Sequence, residues 1–182
     1  PVKLHFVGDG YEHQVKGGDR SCWAIPIMEG EYITEEEYGV VKGVAGGNFF
    51  VMAENQMAAL AGAQAAVNAV EYVRGAILSF PGGIVASGSK VGSRKYAKFM
   101  KASTNEAYCP TLKGKVPDSK VPDGVNGIYE LVIDGVDAKA VALAMRDGIR
   151  AACMVPGVKV ISAGNYGGKL GPHQFKLHEI MK

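Results

Sequence analysis

Twice in this sequence an apolar run of strand length leads into a helix-capping side chain, an apolar helical period and a second strand-like run. In the first occurrence residues 48–53 read as a strand, Asn55 as the cap of a helix reaching about Val73, and residues 76–80 as the returning strand. In the second, residues 127–133 form the strand, Asp137 caps a helix reaching about Cys153, and residues 158–161 return. Val141, Met145, Gly148 and Ile149 recur at a spacing that keeps one helical face toward a sheet. Two such βαβ units with extra strands predict an α+β fold, a ferredoxin-like sandwich in preference to a doubly wound sheet. The extra strands are an extended pair at residues 2–7 and 22–33 and a final strand over 173–180, where Phe175 and Leu177 alternate with Lys176 and His178. Residues 113–124, with Pro117, Pro122 and several lysines, read as a surface loop joining the halves.

Composition narrows the classes further. A chain of 182 residues that is 47% hydrophobic and 21% charged has the material for a single domain with a sizeable core, which excludes global disorder. The formal charge of +2 hides a local asymmetry: residues 1–39 hold eight acids and three bases, whereas 90–120 hold eight bases and two acids. The basic stretch is either a solvated face or an anion-binding groove. Tyr96, Phe99 and Tyr108 make too thin an aromatic interleave for nucleic acid to be the expected partner. No apolar run approaches the roughly 20 residues that cross a bilayer, and the first residues lack a basic segment followed by an apolar one. A soluble, cytoplasmic protein without a membrane partner is expected. Cys22, Cys109 and Cys153 are widely spaced and odd in number, which argues against disulfides and zinc. Because Pro1 leads straight into a strand-like run, the chain is expected to begin at a domain boundary.

Among residues that carry chemistry, Glu130 is the most unusual. Period two places Ile128, Glu130 and Val132 on one face of a strand and Tyr129, Leu131 and Ile133 on the other, so the carboxyl group lies in an apolar pattern on both sides. Desolvation there would raise its pKa toward neutrality, the usual way a carboxyl becomes an acid–base catalyst; a strand-end glutamate reaching water or a lysine is the plainer alternative. Residues 80–93 are dense in small residues, and Gly82, Gly83, Ser87, Ser89 and Lys90 offer backbone N–H groups, hydroxyls and an ammonium to an oxyanion or carboxylate. The stretch lacks phosphate-loop spacing, and a packed glycine turn explains it equally well. Asn165 opens a second polar, glycine-rich loop, and residues 44–49 form a third. Ser103, Thr104 and Asn105 gather hydrogen-bonding groups beside Cys109. None of the four histidines is placed to activate that thiol, and none has metal-site spacing, so neither a nucleophilic cysteine nor a metal is expected.

Taken together, residues 6–11, 43–49, 80–92, 102–105, 109–111 and 161–171 resemble formylmethanofuran:tetrahydromethanopterin formyltransferases. The likeness runs along nearly the whole chain but covers only the C-terminal part of that enzyme, somewhat more than its second half, so an N-terminal lobe is expected to be missing. The resemblance implies a cytoplasmic enzyme of archaeal one-carbon metabolism, in methanogenesis or its reverse, built of two ferredoxin-like lobes and assembled as a homodimer or homotetramer. It implies formyl transfer between methanofuran and N5 of tetrahydromethanopterin, with no metal and no covalent enzyme intermediate. Glu130 falls where the family has its proposed catalytic glutamate. The anionic tails of the two coenzymes give the basic stretch a purpose, and Gly82, Gly83, Ser87, Ser89, Lys90, Ser103, Thr104, Asn105 and Asn165 are the expected substrate contacts. The formyltransferase subunit of a bacterial formyltransferase/hydrolase complex and a non-catalytic binding or assembly lobe remain as alternatives, and the isolated lobe is expected to be inactive.

Overall fold

The protein is described by a computed structural model covering residues 2–86, 88–164, 168 and 171–182. Its backbone divides into two compact units, residues 1–42 and 43–182. In the first unit three antiparallel strands follow one another as a meander: β1 (His13–Gly17), β2 (Arg20–Ile27) and β3 (Gly30–Glu35). Two-residue connections make both turns, Gly18 with Asp19 and Met28 with Glu29, and Gly18 supplies a left-handed φ of 65°. Pro26 is tolerated in the middle strand because pairing with β1 ends at Ala24, leaving that edge without a donor to satisfy. Cys22, Ala24 and Ile25 are buried.

This unit corrects the expected extended pair. Residues 22–33 are broken by the Met28–Glu29 turn, and β1 was not foreseen. Of residues 2–7, only Val2 pairs, with Tyr38, while His5–Gly8 close a 3-10 turn. The run Gly8-Asp9-Gly10 forces that outcome, since Asp9 adopts φ 54° and Gly10 φ 87°, a reversal that a strand leading into it cannot survive.

The second unit holds the duplicated pattern. Strand β4 (Val44–Ala53) leads through Asn55 into helix α1 (Gln56–Val70), and β5 (Ala76–Leu78) returns. A short hairpin, β6 (Ser89–Val91) and β7 (Ala102–Thr104), follows. Strand β8 (Gly127–Gly135), helix α2 (Ala138–Cys153) and β9 (Val158–Ser162) repeat the theme. The caps work as their chemistry requires: Asn55 Oδ1 accepts the Ala58 N–H at 2.8 Å and Asp137 Oδ1 accepts that of Ala140 at 2.7 Å. The sheet order is β5-β8-β4-β9, with antiparallel neighbours throughout.

Alternation along β4 and β8 splits the interior in two. Phe49, Val51, Leu131 and Ile133 face the helices and pack with Ala63, Ala66, Val70, Val141, Met145 and Ile149. Gly148 admits the Phe49 ring, to which an added Cβ would approach within 3.2 Å. On the other face Phe50 and Met52 meet Val121 and Val125, and the Phe50 and Tyr108 ring centroids are 4.6 Å apart. The expected surface loop 113–124 is therefore surface only in part, for its Val121 is buried against the sheet.

The expected final strand over 173–180 is not one. Residues Leu177–Ile180 form a short helix, α3. Leu177, Ile180 and Met181 stand at helical spacing and pack together on the core around α2, which outweighs the alternation of Phe175 and Leu177. Among the described residues no helix is long and apolar enough to cross a membrane.

Gly127 and the start of α1 meet backbone to backbone. A Cβ on Gly127 would lie 2.7 Å from Asn55 O and 2.8 Å from Gln56 Cα, backbone atoms that cannot rotate away. Gly127→Ala is expected to cost roughly 1–3 kcal/mol, read as a lower urea midpoint; an unchanged midpoint would show that β8 and α1 slide freely past each other.

Candidate functional site

Glu130 occupies the sheet face opposite the helices. In the β4–β8 register Glu130 lies across from Phe50, and Asn48 across from Val132, so Asn48 and Glu130 are diagonal neighbours on one face. Asn48 Nδ2 donates to Glu130 Oε1 at 2.8 Å. A bulge between Val44 and Gly47 sets the phase of β4: Gly46 takes φ 87° and its N–H donates to Asp134 Oδ1 at 2.9 Å. The second oxygen of that carboxylate accepts the Ser79 hydroxyl at 2.6 Å, so the bulge is anchored to β8 and β5 together.

β5 ends at Leu78, but the free edge of β8 does not stay open. After the reversal at Gly82 and Gly83 the chain returns, and Val85 exchanges two backbone hydrogen bonds with Glu130, each 2.8 Å. Both backbone groups of Glu130 are thus spent on Val85 while Phe50 of β4 flanks it on the other side, and only 9% of the residue remains exposed. Burial pushes the carboxyl up from its usual range, while the Asn48 amide pulls the other way and does not prevail. The side chain faces a cleft of about 370 Å³ with Asn48, Phe80, Val85, Ser89, Lys90 and Ala102 on its walls.

The residues expected from sequence are only partly brought together here. Ser89 and Lys90, on β6, line the cleft with Glu130. Ser103 and Thr104 stand on the partner strand β7, where Thr104 is opposite Ser89 and the Ser103 hydroxyl donates to Gly92 O at 2.7 Å. Asn105 is buried and structural in its contacts: its N–H donates to Gly88 O and its carbonyl accepts from Tyr108 N–H and from the Cys109 thiol. Gly82 and Gly83 open on a different depression, beside α1, with Val67, Val70 and Leu78. Gly83 adopts φ 73°, and a Cβ there would also meet Leu78 Cδ1 at 2.7 Å and Val67 Cγ2 at 2.9 Å, so turn and packing together account for this glycine. Ser87 and Asn165 lie outside the described residues. The stretch 44–49 expected as a loop belongs to β4, and its Asn48, given no site role from sequence, lines the cleft; two positions before Phe50 in an apolar strand, it shares the face of Phe50 and Met52, which was the available signal.

Electrostatics separates the groups around the cleft. Lys90 pairs with Glu106, which also pairs with Arg94 at 2.8 Å, and Arg94 reaches Asp118 at 2.5 Å. The hydrogen bond from Lys90 holds the Glu106 carboxyl below its usual range. Cys109 moves the opposite way: burial, and then the nearby Glu106 charge, push its thiol up. A thiol so placed is protonated near neutrality and is a poor nucleophile. Among the described residues no three histidine, cysteine, aspartate or glutamate side chains gather into a metal-binding group.

Residues 30–180 match the family model described as FTR, proximal lobe, and the chain belongs to that formyltransferase family. It is similar to the formylmethanofuran–tetrahydromethanopterin formyltransferases of Methanothermobacter thermautotrophicus and Methanothermus fervidus, at 57% and 60% identity over 178 residues. Each alignment covers 98% of this chain and 60% of the relative, so the chain spans about three fifths of their length. Among solved structures it superposes on the Methanosarcina barkeri enzyme with a TM-score of 0.79 and 51% identity, covering 97% of this chain and 59% of that one. The formyltransferase/hydrolase complex of Methylorubrum extorquens, solved with methylofuran, gives a TM-score of 0.78 at 40% identity, covering 100% and 62%.

Two outcomes test this electrostatic picture. A carboxyl with a raised folded-state pKa makes the native chain bind more protons than the unfolded one, so it lowers stability as pH rises from the ordinary carboxylate range through the raised value. Glu130→Gln lacks that loss: urea midpoints of the two proteins should lie close at acid pH and separate in favour of the variant as pH rises. Parallel curves would mean that Glu130 is not desolvated. Iodoacetamide near neutral pH should mark exposed Cys153 before half-buried Cys109 and buried Cys22, and prior labelling of Cys109, read by peptide mass, would contradict a suppressed thiolate.

Proposed function

We propose that this chain is the C-terminal lobe of a two-lobed enzyme that transfers a formyl group between formylmethanofuran and N5 of tetrahydromethanopterin, with Glu130 as the proton carrier. The observation that carries the reading is a buried carboxyl, bonded to Asn48 and raised in pKa, at the wall of an open cleft. The strand order β5-β8-β4-β9 with two helices on one face supports a ferredoxin-like sandwich for the second unit. Identity of 51–60% to archaeal relatives, against 40% to the bacterial complex, supports an archaeal setting.

The chemistry needs a group that serves two nitrogens in turn. The pterin N5 attacks the formamide carbon, a C–N bond forms, and the carbonyl oxygen becomes an oxyanion in a tetrahedral intermediate. N5 then gives up a proton, the methanofuran nitrogen takes one, and its C–N bond breaks as the carbonyl is restored. No proton is gained or lost overall. A carboxyl group whose pKa lies closer to neutrality holds the proton between these steps without trapping it in either form. Asn48 fixes one carboxyl oxygen and leaves the other for substrate. Ser89 is the proposed contact for the oxyanion or the reacting amide, Lys90 for an anionic part of a coenzyme, and the β6–β7 hairpin with Ser103, Thr104 and Asn105 the frame that carries them. Ser87 and Asn165 are retained as proposed contacts on the resemblance alone. The proposed assembly is a cytoplasmic homo-oligomer.

In the full-length protein Glu130→Gln should lower the transfer rate by roughly 10²–10⁴-fold, while Cys109→Ala stays active; the assay is formyl transfer between the two coenzymes. Near-normal transfer by Glu130→Gln would remove the proposed role. The 182-residue chain alone should transfer no formyl group efficiently, because orientation of two substrates depends on walls that a lobe does not supply by itself.

A further inference from the structure

Lys90 is the one cation among the described residues that wall the Glu130 cleft, yet the influences on the Glu130 carboxyl are burial and the Asn48 amide. The reason is visible on the hairpin. Lys90 Nζ is engaged by Glu106, and both side chains are largely withdrawn from solvent, at 21% and 17% exposure. We propose that Glu106 is a positioning residue whose ion pair with Lys90 ties that ammonium back and leaves the carboxyl of Glu130 without a cationic partner. A lysine released from this pair would lie on the wall of the same partly desolvated cleft, where an opposite charge stabilises a carboxylate far more than in water.

The other charges near Glu130 are already committed. On β4 the neighbours Asn48 and Phe50 carry none, and on β8 Asp134 is taken up by Gly46 N–H and the Ser79 hydroxyl. Residues 102–104 of β7 and Val85 are uncharged. In the turn after β7 the titratable groups are Glu106, Tyr108 and Cys109, and Cys109 is pushed toward its neutral form. Arg94, which shares Glu106, keeps Asp118 when Glu106 is neutralised. The hairpin also keeps its ladder and the Ser103–Gly92 bond, so Glu106→Gln should fold.

The effect on rate rests on the proposed role of Glu130; the electrostatic effect does not. The test is therefore a titration followed by carboxyl ¹³C NMR on full-length protein labelled at glutamate, with the Glu130 signal assigned through Glu130→Gln. Glu106→Gln should move the Glu130 midpoint to lower pH, and adding Lys90→Met should bring it back. Lys90→Met alone should leave it in place, since the charge of the tied lysine is already countered by Glu106, and this variant keeps the test decisive should Glu106→Gln fold poorly. An unmoved midpoint in folded Glu106→Gln, a shift that persists in the double variant, or a rise in Lys90→Met alone would each overturn the proposal. In the transfer assay the alkaline limb of the pH profile of Glu106→Gln should move to lower pH. If the NMR shift appears while Glu130→Gln transfers normally, the tether stands and the catalytic reading falls.

Discussion

The antiparallel pairing of β4 with β8 is the interaction on which the second unit turns. These are the two central strands of β5-β8-β4-β9, and they come from the two halves of the duplicated pattern. Their odd residues, Phe49, Val51, Leu131 and Ile133, give both helices a common surface to bury. Their even residues build the other face, where the same register sets Asn48 diagonal to Glu130. Core and site are therefore two readings of one ladder, which explains how a carboxyl group comes to rest in an apolar setting. The sheet around it is stabilised by apolar burial on both sides, of the order of 25 cal/mol per Å² removed from water, and that surplus tolerates one desolvated acid.

Much of this was legible because it is local. Asn55 and Asp137 cap helices for a reason internal to a few residues, and a nine-residue strand with a glutamate in its interior declares itself by period two. What escaped depended on register or on competition between periods. The Asn48–Glu130 bond joins residues 82 apart, and nothing in a strand's own sequence says which residue will stand diagonally across from it. Residues 173–180 satisfy alternation as well as helical spacing, and contacts with the core around α2 decide between them. Gly82 and Gly83 share the composition of a ligand loop, but the space that Gly83 leaves is filled by Leu78 and Val67. A glycine selected for packing and one selected for a ligand look alike in one dimension.

Three of the ionisable groups in this region depart from their ordinary behaviour under different mixtures of burial and charge. Glu130 is raised by burial, Glu106 is lowered by a lysine, and Cys109 is raised by burial with a carboxylate beside it. One stretch of hairpin and turn, residues 88–109, supplies the charge that separates the latter two. Such divergence within a small volume is the physical condition for holding a proton at one position while keeping neighbouring groups inert.

The bulge at Gly46 carries an implication for how such a chain changes over generations. An extra residue on one strand resets the alternation for everything downstream, so Gly47 faces Val141 and Asn48 turns to the cleft. Insertion of a single codon between positions 47 and 48 would exchange the faces of Phe49 and Phe50 and send the Asn48 amide toward the helices. Point substitutions can explore this strand one side at a time, whereas length changes alter both sides at once. A length change before the bulge leaves this phase untouched, because the bond from Gly46 to Asp134 re-anchors the strand after it.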